Sequence, residues 1–68
     1  MREAAVLEHK LDSQIQMGNM AYNREVDVST LTLEQKVEIL ADEFTDPRNV
    51  AEVYEDYNKI ISSRAAAA

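Results

Sequence analysis

Residues 33–61, LEQKVEILADEFTDPRNVAEVYEDYNKII, decide the fold of this chain. Leu33, Val37, Leu40, Ala41 and Phe44 recur at intervals that place them on one side of a helix, and Val50, Val53, Tyr54, Tyr57, Ile60 and Ile61 do the same. Only Thr45, Asp46 and Pro47 separate the two stripes. Two amphipathic helices joined this tightly are expected to fold back on each other as an αα-hairpin.

The boundaries follow from local chemistry. Thr32 precedes Gln35 by three residues, the spacing of a capping box, and Glu34 lies in the first turn, where the helix dipole favours a carboxylate. This predicts a helix over 33–45. Asp46 suits a cap and Pro47 the first helical position, where a missing N–H costs nothing. Proline also disfavours a helical Asp46, so the first helix must stop before the second runs over 47–64. Glu55 and Lys59 stand at the spacing of a favourable pair on that helix.

Upstream, Ala4, Leu7, Leu11, Ile15, Gly18 and Tyr22 share one side of a third helix, expected over about 2–24. Gly18 leaves two options open. It ends the helix as a left-handed C′ residue, or it stays helical, at about 1 kcal/mol relative to alanine, and lets another element approach closely. Residues 24–32 are rich in β-branched side chains without a second strand to pair with. They read as an extended linker whose valines pack on the hairpin. The expected fold class is therefore all-α: a small three-helix domain over residues 1–64, built on an antiparallel hairpin and followed by an alanine tail, 65–68. The tail either prolongs the last helix or frays, and Ala67-Ala68 loosely resembles the small apolar C-termini recognised by bacterial unfoldases.

Composition narrows the function. Sixty-eight residues make a marginal core, and with no cysteine there is no disulfide to reinforce it and no thiolate chemistry. A single histidine excludes a multi-histidine metal site within one chain. Association with a partner or a second copy becomes the expected source of extra stability. The net charge is −6, and the seven basic residues, at 2, 10, 24, 36, 48, 59 and 64, form no cluster. Nucleic acid and anionic membranes need such clusters, so a protein with a basic surface is the better partner. No apolar run approaches the roughly 20 residues that span a bilayer, and Met1–Leu11 lacks the pattern of a secretory signal, so a cytoplasmic location is the default expectation.

Two features stand out as candidate partner-binding elements. Glu34, Glu38, Asp42 and Asp46 form a ladder of acids at four-residue spacing, repeated by Glu52 and Asp56 and by Glu8 and Asp12. Like charges so placed repel by roughly 0.2–0.5 kcal/mol per pair. The ladder is either a solvated face or an edge that docks basic side chains. Val6, Met17 and Met20 form a second apolar line opposite the Leu7–Leu11–Ile15 stripe, and they either meet a partner or cover the hairpin near the linker. Ile39 also points away from its helix's stripe and is expected in solvent.

Other chemistries find no support in the residues. His9, Asp12 and Ser13 lie on one short helix and cannot enclose a substrate as a nucleophilic triad must. Asp42, Glu43 and Asp46 lack the spacing and glycine of a calcium loop. No catalytic, cofactor-binding or metal-binding residues are assigned. Leu40–Phe44 followed by Val50 faintly resembles the first helix and turn of helix-turn-helix DNA-binding units. That resemblance implies a recognition helix in a major groove, but Glu52, Glu55 and Asp56 would face phosphates there. The sequence thus favours a non-enzymatic protein–protein interaction module, such as a small acidic adapter, inhibitor, chaperone-like or assembly subunit. The alternative is a nucleic-acid-related regulator, either a degenerate helix-turn-helix or an acidic mimic of nucleic acid.

Overall fold

A computed structural model describes residues 2–67, with side chains from 3 to 66; Met1 and Ala68 lie outside the described residues. The chain is all-α. Three helices, α1 (Arg2–Ala21), α2 (Leu33–Glu43) and α3 (Pro47–Ala67), are linked by a segment with one short 3₁₀ turn at Val28–Thr30. No strand occurs among the described residues.

Ion pairs fix the directions of the helices. Lys36 reaches Glu8 and Asp12, and Glu43 reaches the level of Gly18, so α1 and α2 run parallel. Lys10 meets Glu52 and Asp56 while Glu8 meets Arg64, so α3 runs antiparallel to α1, as the short turn makes it to α2. A parallel α1–α2 pair explains the long connection. Residues 22–32 must return along the bundle by some 20 Å, about thirteen helical residues, and these eleven residues cover it even with three of them in the 3₁₀ turn, since eight extended residues alone span up to about 26 Å. Val26, Val28 and Leu31 turn inward along the way and pack against the core.

The core is Ala4, Leu11 and Ile15 of α1, Leu33, Val37 and Leu40 of α2, and Val53 and Ile60 of α3. Leu7, Phe44 and Tyr57 close its edges. The α3 stripe is narrower than its sequence pattern, with Tyr54 and Ile61 on an exposed flank. Ile39, expected in solvent, is half-buried, because the returning linker brings Val26 beside it.

The start of α2 is as predicted. Thr32 Oγ1 accepts from Gln35 N at 3.1 Å, and Thr32 N donates to Gln35 Oε1 at 2.8 Å. Thr32→Ala is expected to cost about 1 kcal/mol, read as a lower urea midpoint with unchanged slope. The end of α2 falls at Glu43 rather than at 45. Phe44 adopts an extended conformation with its N–H on Leu40 O, and Asp46 caps α3 by accepting from Arg48 N at 2.9 Å. That bond, together with one from the Arg48 side chain, holds the Asp46 carboxyl below its ordinary pKa.

Helix α1 stops at Ala21 instead of running to 24, and Gly18 does not stop it. Asn23 takes the left-handed conformation with φ of 52°, and Arg24 N donates to Asn19 O at 2.9 Å, closing a Schellman-type end with asparagine at C′. Tyr22 therefore lies past the helix, and is exposed instead of continuing the buried stripe. Helix α3 extends to Ala67, so the described alanines prolong it; the part of the tail reading that concerns Ala68 falls outside the described residues.

Candidate interaction site

The acid ladder divides in the structure. Glu34, Glu38 and Asp42 stand exposed along α2, and none of the three is in an ion pair among the described residues. Asp46 is not part of that face: it lies beyond the end of α2, and its carboxylate is engaged by Arg48. The repeats of the ladder are internal clamps. Lys10 Nζ lies 2.9 Å from Asp56 Oδ2 and 3.4 Å from Glu52 Oε1. Its bond to Asp56 outweighs the opposing effect of burial and raises its pKa. Lys36, whose side chain is almost wholly buried, places its Nζ 2.8 Å from Asp12 Oδ1 and 3.5 Å from Glu8 Oε2. Arg64 closes on the other Glu8 oxygen. Glu55 and Lys59 do not form the pair that their spacing allows.

Val6, Met17 and Met20 are 65%, 67% and 86% exposed, so they do not cover the core. They share the outward side of α1, but Val6 lies about 16 Å upstream of Met17 along the axis. The structure does not gather the ladder and this line into one patch. It brings them nearest at the C-terminal end of α1.

That end is built on Gly18. Arg24 folds back across it, donating from Nη2 to Ile15 O at 3.1 Å and from Nε to Asn19 Oδ1 at 2.9 Å. Asn19 in turn holds both backbone groups of Val26. Glu43 enters the same gap, with Oε1 3.3 Å from Arg24 Nη2. A Cβ at position 18 would collide with Glu43 Oε1 and lie 2.5 Å from Arg24 Nη2. Glycine here serves close approach, the second of the two options its position left open.

Two clefts flank this knot. One, of about 390 Å³, is walled by Met17, Ala21, Tyr22 and Phe44, with Gln14, Glu43, Asn49 and Glu52 as its polar groups. The other, of about 420 Å³, includes Arg24, Val26, Ile39 and Asp42, and shares Tyr22 and Glu43 with the first. Sequence reasoning singled out Met17 and Asp42 here, but missed Glu43, Arg24, Gln14 and Phe44 as parts of a site. Glu43 stands three residues after Leu40, on the core-facing side of α2, and that register was the available signal.

His9 is exposed beside Glu8, Asp12, Ser63 and Arg64 in a shallow groove. Among the described residues no group of three or more histidines and carboxylates is placed to hold a metal, and no helix is long and apolar enough to cross a membrane. No protein-family model matches the chain, no curated protein matches it, and no solved structure matches it.

Proposed function

We propose that this chain is a non-enzymatic protein–protein interaction module that seats an amphipathic helix, from a partner or from its own copy, on the outward face of α1. The observation that carries this reading is the exposure of Met17 and Met20, with Tyr22 close behind, on a helix whose opposite side already fills the core. Methionine adapts its shape to a partner, and a helix laid into such a surface buries apolar area that water now covers. Glu34, Glu38 and Asp42 carry unpaired negative charge on α2, nearest to this face at the C-terminal end of α1, which favours a basic partner and makes the encounter salt-sensitive.

The test is sedimentation equilibrium of the parent beside Met20→Glu and the Met17→Glu/Met20→Glu pair, alone and with a basic amphipathic helical peptide. The parent is expected to self-associate or to bind the peptide. The double variant should lose at least about tenfold in affinity while remaining helical. A parent that stays monomeric and binds no better than the double variant overturns the reading. A second reading, imitation of nucleic acid, draws on the three exposed acids of α2. It expects competition with DNA for a basic protein, without DNA binding by the chain itself.

A further inference from the structure

The cleft beside Gly18 carries an unfilled demand for hydrogen-bond donors. The Glu43 side chain is only 8% exposed, and its Oε2 has no partner. Its Oε1 has just the 3.3 Å contact to Arg24 Nη2, which also serves Ile15 O. Gln14 Oε1, in the same cleft, is likewise buried and unpartnered. Buried oxygens of this kind are costly unless something donates to them. The charged groups walling the cleft, Glu43 and Glu52, are both acidic, each with one cation of the chain at 3.3–3.4 Å (Arg24 and Lys10), and the remaining walls include the aromatic rings of Tyr22 and Phe44.

We infer that this cleft receives an arginine side chain projecting from the apolar helix face of a different protein, a specificity that rests on the interaction reading above. A guanidinium presents several N–H donors in one plane, suited to the two acceptor side chains that line the cleft, Glu43 and Gln14, and its face stacks on aromatic walls. A lysine offers a single point charge and matches two separated acceptors less well. Among the arginines whose side chains are described, Arg24, Arg48 and Arg64 each already hold a carboxylate of their own chain, so one of these from a second copy would have to leave an ion pair to enter the cleft.

The experiment follows backbone amide signals by NMR while the full chain is titrated with N-acetyl-arginine amide. Its neutral isostere, N-acetyl-citrulline amide, and the apolar N-acetyl-norleucine amide serve as comparators. Saturable shifts at Gly18, Ala21 and Phe44 are expected with the arginine probe alone. Glu43→Gln should weaken binding about tenfold or more. Glu52→Gln, at the exposed rim, should weaken it less, and keeps the test alive if Glu43→Gln fails to fold. Equal shifts with citrulline, undiminished binding in both variants, or no saturable shifts at these amides overturns the inference. Loss of arginine recognition with helical-peptide binding intact removes this inference alone. Arginine recognition that persists while Met20→Glu leaves peptide binding and self-association unchanged removes the α1-face reading instead.

Discussion

Replacing Leu40 with alanine is expected to leave this chain largely unfolded at room temperature. Leu40 is completely buried, in the last turn of α2 before the chain turns toward α3, in one core with Leu11 and Ile15 of α1 and Val53 and Ile60 of α3. Truncating such a leucine removes its transfer free energy and leaves a cavity, together about 3–4 kcal/mol. A single core of this size rarely supplies more than about 3–5 kcal/mol in total. The two figures are comparable, so the folded population should collapse rather than shift. Far-UV circular dichroism should show the loss of helix directly, and the residual signal should recover with an osmolyte such as TMAO. Met20→Ala is the matched control, since its side chain is exposed and should change stability by less than about 0.5 kcal/mol. A Leu40→Ala protein that melts like the parent would mean that the three stripes do not share one core.

The parts of this architecture that could be read from the residues are those set by neighbours in the chain. Thr32 with Gln35 and Asp46 with Pro47 act over three residues or fewer, and both helix starts fall where those residues place them. The end of α1 depended on Asn23 accepting a left-handed backbone, which asparagine does more readily than other non-glycine residues. The glycine five positions earlier was the more obvious marker and did another job. Charge was the least legible property. Glu8 with Asp12, and Glu52 with Asp56, look like repulsive neighbours along one helix. Their cations come from other elements: Lys36 and Arg64 for the first pair, Lys10 for the second. The interaction cleft was half-legible for the same reason. Met17 shows its exposure through helical periodicity, whereas the Gly18–Arg24–Glu43 knot exists only once α2 lies beside α1. Lys36 did leave a trace: with Leu33, Val37 and Leu40 it occupies the spacing of a core-facing stripe, an unusual register for a lysine without carboxylates waiting opposite.

Those carboxylates make Lys36→Met the second large effect. Methionine matches the lysine stem in length and flexibility, so the packing loss is small and the change is mainly electrostatic. Breaking a fully buried ion pair by removing one partner costs about 3–5 kcal/mol, because the other charge stays behind uncompensated. Asp12 and Glu8 keep 26% and 27% of their side chains exposed, which lets water relieve part of that penalty and brings the expected cost to about 2–3 kcal/mol. Neutralising the stranded acid should return part of the loss, so Lys36→Met/Asp12→Asn is expected to be more stable than Lys36→Met alone. The pH dependence separates this from a packing defect. Burial pulls the Lys36 pKa down, but the bond to Asp12 and the charges of Asp12 and Glu8 overcome it, and the folded value lies above the ordinary 10.5. A raised lysine pKa contributes stability that is fully present below the unfolded value and is lost as pH rises through the folded one. The difference in urea midpoint between parent and Lys36→Met should therefore stay level from neutrality to about pH 10, then shrink in stronger alkali as Lys36 loses its proton. A difference that holds constant through that range would assign the cost to shape, and would remove the Lys36 clamp from the account of how α1 and α2 are held side by side.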